Sequence, residues 1–436
     1  MAIFRSVFKT IKSSAMKLKS TFLKLLFLMF FTSLLSGCQL FNAAKFRYTN
    51  STSTHKWLHS SNITHVPFTL ISELIIVPVS INGSKTLNFV FDTGAAATVI
   101  LESNNTKNLI LESDSKLNIE GAGEGFQSIA NLVPDINVTL GEVELIEQTI
   151  IHLPISSVPF FKDSDSVFFD GVIGYDFLKR FTIKIDYDKM IISLSEQADF
   201  AKTETEHDIN WDRLPIFIEG DMSYVSVNTR LGTDKMIPLR LLIDTGFSGT
   251  FEIVQARHEK SLAPYYQTRT QGLTGYSTIH VSNAKSLSLG SYSKSNVPIL
   301  YNMSTNEEVE NSELLGNQFL KHFNIIFDYR NEQLFIKPNQ SFDLPINLDK
   351  SGLRLMPHKL GAMVNDVATR TGAANIGLMA GDIITSYDGN KITPKGFSAF
   401  ASALTTNRPK IEICWISKNT ENCDLLVLAS RLQSVH

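Results

Sequence analysis

Short apolar runs, separated by Gly, Asn and Asp, recur along most of this chain. Such runs are rich in Val, Ile and Phe and are too short for helices, so they predict β-strands joined by turns. The pattern starts near residue 68 with "ELIIVPVSING", and "LNFVF" follows it. We therefore expect a mainly β protein.

Two of the predicted strands run directly into the tripeptide Asp-Thr-Gly. The first is "NFVFDTGAAATVI" at residues 88–100, and the second is "LLIDTGFSGTFE" at residues 241–252. Asp and Gly are poor strand formers, so strand structure alone does not predict the same interruption twice. The repeated tripeptide therefore indicates a shared function for the two segments.

The repetition continues downstream of each tripeptide. The block "GVIGYDFLKRFTIKIDYDKMIISL" at residues 171–194 aligns with "ELLGNQFLKHFNIIFDYRNEQLFI" at residues 313–336. The glycine after the first two apolar residues of each block lies 82 residues after the first Asp and 72 residues after the second. A domain-sized unit used twice in this way predicts two similar lobes that can pair.

Changes in composition along the chain predict its domain boundaries. We expect a signal peptide over residues 1–37, a polar tether over 38–66, one lobe over 67–197, a second lobe over 198–340 and a further domain over 350–432.

The first residues carry charge of one sign. No Asp or Glu precedes Glu73, whereas six Lys or Arg lie within the first 24 residues. The apolar run at residues 25–35 is too short to span a bilayer and has the length of a signal-peptide core. Ser36-Gly37-Cys38 follows it and resembles a bacterial lipobox, in which the cysteine is lipidated and becomes the new N-terminus.

The alternative to a lipobox is an uncleaved anchor helix, and both place the rest of the chain outside the cytoplasm. Gln39, rather than Asp, follows the cysteine, which resembles lipoproteins sent to the outer membrane. We therefore expect a lipid anchor at Cys38 and a location in the cell envelope, in the outer membrane facing the periplasm.

Charge and residue counts exclude several classes of protein. The formal net charge is −3 and no basic run follows the leader, so nucleic acid is not an expected partner. The ten His are scattered and zinc-site spacings are absent, so no metal is expected. Cys414 and Cys423 flank "WISKNTEN", a predicted hairpin, and could form a disulfide in an exported protein. A free pair of small core residues is the alternative.

An aliphatic run entering Asp-Thr-Gly, followed 70–80 residues later by an apolar-apolar-Gly block, resembles one lobe of a retropepsin- or pepsin-type aspartic protease. The resemblance covers about residues 68–338, and both elements occur in order twice. It implies two acid-protease-type β-barrel lobes that form an intramolecular pseudo-dimer. A monomer would then be the active unit, and no cofactor would be needed.

The resemblance assigns catalysis to Asp92 and Asp244. Two neighbouring carboxylates cannot both ionise easily, so they share one proton. The ionised partner takes a proton from a water that attacks a peptide carbonyl, and the protonated partner donates to the developing oxyanion. In the family, further residues hold this dyad. Here they would be Thr93, Gly94, Gly174, Thr245, Gly246 and Gly316.

Two glycine-rich stretches resemble the flap hairpins that close over substrate in this family. They are "IEGAGEGFQ" at residues 119–127 and "TQGLTGYST" at residues 270–278. Plain hairpin turns are the alternative. The glycines assigned to substrate binding are Gly121, Gly123, Gly125, Gly272 and Gly275.

The residue after each Asp-Thr-Gly differs between the copies. The family usually has Ala or Ser there, and Ala95 fits. Phe247 in the second copy is a large ring that could reshape specificity or obstruct the dyad. Ser248 beside it lacks the spacing of a nucleophile elbow and a positioned His, so a serine hydrolase is not favoured.

The last part of the chain, over about residues 350–432, resembles a PDZ domain of the bacterial protease-associated kind. The stretches that carry this resemblance are "LGAMVNDV" and "GLMAGDIITSYDGNKI". PDZ domains add an extended peptide as a strand and hold its terminal carboxylate with backbone N–H groups. A closed domain that only packs on the protease is the alternative. The peptide-binding loop would comprise Leu360, Gly361, Ala362 and Met363.

Three functions compete for this chain. The first is an exported aspartic endopeptidase whose PDZ domain recruits peptide or protein substrates. The second is a catalytically inactive, protease-like scaffold or sensor that binds peptides in the cell envelope. A polyprotein-processing enzyme of retroviral type is disfavoured by the lipobox. Two intact Asp-Thr-Gly motifs favour the endopeptidase.

Overall fold

A computed structural model describes residues 41–59, 62–113, 115–119, 124–125, 128–158, 168–232, 235–258, 266–272, 275–303, 313–346 and 349–429. The predicted signal peptide and Cys38 lie outside these residues. Within the described ranges, no helix combines the length and the apolar character needed to cross a membrane.

Most of the described elements are strands, which confirms the prediction of a mainly β protein. Strands β1 to β11 are His55–Trp57, Ile63–Pro67, Thr69–Ile71, Leu74–Ile81, Leu87–Phe91, Val99–Leu101, Ser115–Ile119, Glu124–Gly125, Ser128–Leu140, Val143–Leu153 and Gly171–Ile173. Strands β12 to β23 are Thr182–Asp186, Ile191–Ser195, Asp212–Glu219, Met222–Arg230, Ile237–Asp244, Phe251–Val254, Tyr266–Gln271, Gly275–Leu289, Tyr292–Asn302, Leu314–Gly316, Phe323–Asp328 and Gln333–Pro338. Strands β24 to β29 are Leu353–His358, Gly361–Val367, Ile383–Tyr387, Asn390–Lys391, Lys410–Ser417 and Thr420–Val427.

The helices are short. Residues 41–52 are helical and are called α1. Helices α2 to α6 are Tyr175–Leu178, Phe200–Thr205, Asn317–Leu320, Gly372–Asn375 and Phe397–Ala403. Single 3-10 turns lie at Ile155–Ser157, Gln255–Arg257, Tyr329–Asn331 and Pro394–Gly396.

Two closed rings of strands are built in the same order. The first runs β4-β5-β11-β6-β10-β9 and closes where β9 pairs with β4. The second runs β15-β16-β21-β17-β20-β19 and closes where β19 pairs with β15. We call residues 62–197 the first lobe and residues 198–346 the second lobe.

One continuous sheet joins the lobes, in the order β2-β13-β12-β22-β23-β14. At its centre β12 pairs antiparallel with β22, and Lys184 lies opposite Ile326. These two residues occupy the same position of the repeated block, ten residues after Gly174 and Gly316 respectively. The register therefore maps onto itself when the two lobes are exchanged.

A single apolar core runs through both lobes. Strand residues that alternate toward the interior fill it, including Phe89 and Phe91 from the first lobe and Phe251 and Phe327 from the second, and Phe319 of α4 joins them. Burial of apolar surface from both lobes in one core stabilises their association.

The prediction of a polar tether over residues 38–66 is wrong for the part that the structure describes. Helix α1 is followed by β1, which pairs with β10, and β2 joins the sheet between the lobes. Asn50 is buried, donates to the Thr149 carbonyl at 2.9 Å and accepts from the Thr149 N–H at 3.0 Å. The polar residues of this segment therefore serve as partners for backbone groups of the first lobe.

Residues 349–429, the C-terminal module, form a separate sheet in the order β24-β25-β26-β28-β29, with β27 on β26. Helices α5 and α6 cover it, and the module has its own core around Phe397, Phe400 and Trp415. A disulfide joins Cys414 to Cys423 across the hairpin of β28 and β29, with Cα atoms 4.1 Å apart.

Candidate active site

Each Asp of the two tripeptides stands at the end of a buried strand. Asp92 directly follows Phe91 at the end of β5, and Asp244 follows Ile243 in β16. Phe91 and Ile243 are fully buried, whereas both Asp residues keep partial contact with solvent. In each lobe, a strand therefore runs through the core and places an Asp carboxylate at the edge of that core.

Two threonines hold the Asp-Thr-Gly loops together in a reciprocal contact. Thr93 Oγ1 donates to the Ile243 carbonyl at 2.7 Å and accepts from the Thr245 N–H at 3.1 Å. Thr245 Oγ1 donates to the Phe91 carbonyl at 2.7 Å and accepts from the Thr93 N–H at 3.1 Å. Both threonines are fully buried. Four matched hydrogen bonds therefore fix one loop against the other.

The glycines of the motif bring the two carboxylates together. A Cβ atom on Gly94 would lie 2.5 Å from Cγ of Asp244, and one on Gly246 would lie closer still to the Asp92 carboxylate. Real Cβ atoms do not approach other atoms so closely, so each carboxylate packs on a backbone that tolerates only glycine.

The two carboxyl groups have different surroundings. Asp92 Oδ1 accepts from the N–H groups of Gly94 at 2.8 Å and Ala95 at 3.0 Å, whereas Asp244 Oδ1 accepts from Gly246 at 2.8 Å. Burial raises the pKa of Asp92. Burial raises the pKa of Asp244 well above its usual range, and the charge of Asp92 and a hydrogen bond with its carboxyl group raise it further. Ionisation of both groups at once is therefore disfavoured.

Gly174 and Gly316 lie behind the two loops, where they precede α2 and α4. A Cβ atom on Gly174 would lie 2.5 Å from the carbonyl carbon of Ala97, and one on Gly316 would meet the carbonyl oxygen of Gly249. Both predicted supporting glycines therefore pack directly against the backbone of the loop that follows an Asp.

The ring of Phe247 lies against glycine backbone. A Cβ atom on Gly249 or on Gly316 would collide with this ring. The Phe247 carbonyl accepts from the Asn317 N–H at 2.8 Å, and the ring packs on apolar residues that include Tyr266. These glycines make room for the large side chain that the sequence places beside the second carboxylate.

The two predicted flaps are hairpins that meet each other. They are formed by β7 with β9 and by β18 with β19. Gly125 in β8 pairs with Gly275 in β19, and Gly272 directly follows β18. Gly121 and Gly123 lie outside the described residues. Backbone pairing therefore connects the hairpin regions of the two lobes.

Of the predicted peptide-binding loop, the structure places Gly361, Ala362 and Met363 in strand β25, and Leu360 is exposed on the turn before it. Gly361 has a φ of +152°, and a Cβ atom there would collide with the Ile384 carbonyl. Ala362 and Met363 lie in β25, which pairs with β24 on one side and with β26 on the other. An inner strand has no free edge for an added peptide, and the strands at the two ends of the described sheet are β24 and β29.

A cluster of N–H groups that the sequence did not predict lies at the start of β24. Ser351, Gly352 and Leu353 donate their N–H groups to Oδ1 of Asp349 at 3.1, 2.8 and 3.1 Å. Successive N–H groups of this kind bind carboxylates. Here the chain's own aspartate occupies them, and "DKSGL" was the available signal.

The C-terminal module contacts both lobes through residues that the sequence did not single out. Met356 and Met363 join an apolar cluster of the first lobe, and Ala368 joins one of the second. Asp366 accepts from the Thr268 hydroxyl at 2.8 Å and from the Arg269 guanidinium at 3.0 Å. These partners lie far apart in sequence, so no local pattern predicts them.

A buried carboxylate in the second lobe was overlooked as well. Glu252 lies in β17 and Oε1 accepts from the Asn302 side-chain amide at 2.9 Å. Its signal is a lone acid in the apolar run "TFEIV". Among the described residues, no group of three or more His, Cys, Asp or Glu is arranged to hold a metal ion.

Comparison with known proteins supports the assignment of the first lobe. No curated protein matches the chain. Residues 77–177 match the family model described as "Aspartyl protease", a retropepsin-like family. The match runs from β4 to α2 and so includes Asp92, Thr93, Gly94 and Gly174. This part of the chain is therefore similar to a retropepsin-like aspartyl protease domain, within a mainly β fold that agrees with it.

Proposed function

We propose that this chain is an aspartic endopeptidase in which Asp92 and Asp244 hydrolyse peptide bonds. The observation that carries the proposal is the reciprocal contact of Thr93 and Thr245, because it holds the two Asp-Thr-Gly loops together. The family match over residues 77–177 supports a peptidase in general.

The chemistry follows from the unequal carboxyl groups. Asp92, the ionised partner, takes a proton from a water while the hydroxide oxygen bonds to the carbonyl carbon of the peptide. Asp244 gives its proton to the carbonyl oxygen, so the tetrahedral intermediate is a neutral diol. Asp92 then passes its proton to the nitrogen as the C–N bond breaks, and Asp244 regains a proton from one hydroxyl. The dyad ends in its starting state.

In this proposal the two lobes act as the halves of an intramolecular pseudo-dimer, and a monomer is the active unit. The matching strand order of the two rings and the symmetric register of β12 with β22 support it. The paired hairpins would cover a peptide bound between the lobes.

We assign the C-terminal module a PDZ-like role in recruiting peptide or protein substrates. Its sheet, its two covering helices and the edge strand β24 support this assignment. A peptide would add along β24. Because Asp349 already occupies the N–H groups before this strand, we expect recognition of an internal peptide segment rather than of a terminal carboxylate.

The proposed location is the cell envelope, with a lipid on Cys38 that anchors the chain in the outer membrane facing the periplasm. The basic leader, the short apolar run and Ser36-Gly37-Cys38 support this location.

A catalytically inactive scaffold that binds peptides is the second candidate. One observation favours it: Met356, Met363 and Ala368 of the C-terminal module pack into apolar clusters that also contain Ala97 and Phe247 of the two Asp-Thr-Gly loops.

Cleavage of a denatured protein over a range of pH tests the proposal. The full chain in mild detergent is compared with Asp92→Asn and Asp244→Asn, each of which should lower kcat/KM by about 1,000-fold or more. Asp135→Asn is the matched control, since Asp135 is exposed in β9 with φ of +58°, a conformation that Asn adopts readily. Cleavage that survives either dyad substitution contradicts the mechanism. Peptide binding without cleavage at any pH supports the scaffold.

A further inference from the structure

Glu252 takes the place in the second lobe that Val99 has in the first. Val99 pairs with Val172 of β11, and Glu252 pairs with Leu314 of β21. Val172 and Leu314 each stand two residues before the glycine of their repeated block, so they are equivalent. The strand register therefore makes Val99 and Glu252 equivalent as well.

In the first lobe this position belongs to an apolar surface between the loop after Asp92 and the hairpin of β7 and β9. Val99 lies in one cluster with Ala97 of that loop and Ile119 of β7. Ile100, the next residue, lies in the main core. Because side chains alternate along a strand, Val99 points away from the core. Met356 and Met363 of the C-terminal module lie in the same cluster, so a peptide between loop and hairpin would contact this surface in their place.

The second lobe has a surface with matching walls. Phe247 of the loop after Asp244 packs on a cluster that contains Tyr266 of β18 and Leu300 of β20. Glu252 pairs directly with Leu300. The Glu252 side chain therefore lies where an apolar residue stands in the first lobe.

The carboxylate of Glu252 lacks a full set of partners. The residue is 3% exposed, Oε1 accepts from Asn302, and Oε2 has no hydrogen-bond partner among the described residues. Burial raises the pKa of Glu252 to about 7. Leaving a buried carboxylate oxygen unpaired is costly, and a cationic donor offsets that cost best.

We propose that Glu252 and Asn302 form a subsite that selects a cationic side chain, Lys or Arg, of the peptide on the second-lobe side of the scissile bond. Asn302 in turn replaces Leu153, since Asn302 pairs with Val254 where Leu153 pairs with Leu101. This inference rests on the proposed function, because it names the substrate class of the same site.

The C-terminal module already places a cation near this subsite. The positive charge of Arg354 in β24 acts on Glu252 and opposes the rise of its pKa. Arg354 also donates to the Arg269 carbonyl of β18 at 3.0 Å. The guanidinium therefore bonds to β18, the strand that also supplies Tyr266 to the cluster beside Glu252.

The test uses the full chain and a set of fluorogenic peptides in which one position at a time is Lys, norleucine or Glu. Norleucine keeps the length of the Lys side chain and removes the charge. At one position on the second-lobe side, the wild type should prefer Lys over norleucine by about 30-fold or more in kcat/KM. Glu252→Gln should abolish most of that preference, and Glu252→Val should reverse it.

Glu313→Gln is the matched control, since Glu313 accepts from the Val254 N–H at the end of β17 and from His258 beyond that strand, and this variant should keep the Lys preference. Equal cleavage of Lys and norleucine peptides at every position, or a preference unchanged in Glu252→Gln, overturns the subsite while the protease stands.

Calorimetry on the Asp92→Asn/Asp244→Asn variant measures peptide binding without cleavage. Lys-selective binding there that depends on Glu252, with no cleavage by the wild type, supports the subsite and overturns the protease. Absence of Lys-selective peptide binding to the Asp92→Asn/Asp244→Asn variant overturns the subsite.

Discussion

The two lobes agree where they hold Asp92 and Asp244 and differ where a substrate would lie in the proposed function. The threonine contacts are equal in both directions, at 2.7 and 3.1 Å, and each Asp accepts a glycine N–H at 2.8 Å. Around them Ala95 is replaced by Phe247, and Val99 by Glu252. Sharing a proton requires symmetric geometry, whereas a peptide chain is asymmetric and gains from two different walls.

The largest expected effect comes from the glycines that touch the opposite carboxylate. Gly94→Ala and Gly246→Ala should each lower kcat/KM by about 1,000-fold, because the new Cβ must displace the carboxylate by about 1 Å and disturb its N–H donor. Steady-state kinetics on each variant measures the loss, which should be similar for the two lobes.

The control for these variants is Gly83→Ala. Gly83 also sits in a turn, with φ of +70°, but nothing lies within 4 Å of its Cβ position. We expect it to lose about 1 kcal/mol of stability and no activity. A tenfold difference between Gly94→Ala and Gly246→Ala would show that the lobes contribute unequally to the site.

The next effect concerns Glu252, which has no acidic counterpart in the first lobe. Its folded pKa of about 7 lies above the usual 4.5, so the folded state binds the proton more tightly. Protonated Glu252 therefore contributes stability to the folded state that is fully present below about pH 4.5. This contribution is lost as the pH rises through about 7, and the free energy of unfolding falls by about 3 kcal/mol.

Urea unfolding of Asp92→Asn/Asp244→Asn with and without Glu252→Gln isolates this group, because the dyad no longer titrates. The variant that keeps Glu252 should lose about 3 kcal/mol more between pH 4.5 and 8 than the variant that also carries Glu252→Gln. Parallel pH curves would mean that Glu252 is not desolvated in the folded protein.

The smallest effect compares the two threonines. Thr93→Val and Thr245→Val should each cost about 2 kcal/mol, since each leaves a buried carbonyl and a buried N–H without a partner. Thr→Ser at the same position keeps the hydroxyl and should restore most of the loss. Free energies of unfolding that differ by more than about 1 kcal/mol between the lobes would contradict the matched geometry.

Repetition in the sequence was enough to predict much of this architecture. Two copies of Asp-Thr-Gly, each followed by an apolar-apolar-Gly block, predict similar halves, and the structure brings Asp92 and Asp244 together. The similarity of the halves can be predicted because it depends on local residue types. In both copies an apolar strand leads into an Asp and then into a glycine that packs closely against its neighbours.

Other features depend on partners that are remote in sequence. Asn50 bonds to Thr149, 99 residues away, and no local pattern in the sequence distinguishes such a polar segment from a tether. Counting from each Asp aligns Val99 with Phe251, but the strand register aligns Val99 with Glu252. The second loop therefore holds one extra residue. A shift of one residue exchanges the two faces of a strand. Alignment of the two repeats by counting from each Asp therefore does not show that Glu252 is equivalent to Val99.

Joining the lobes in one chain has a consequence at the centre of the sheet between them. In a dimer of two identical first lobes, Lys184 would lie opposite a second Lys184, and directly opposed like charges weaken strand pairing. In the joined chain the residue opposite is Ile326, and Lys184 bonds to Glu204 at 2.5 Å instead. Covalent linkage also makes pairing independent of protein concentration. A duplicated chain could therefore lose the capacity for self-association and let its halves diverge.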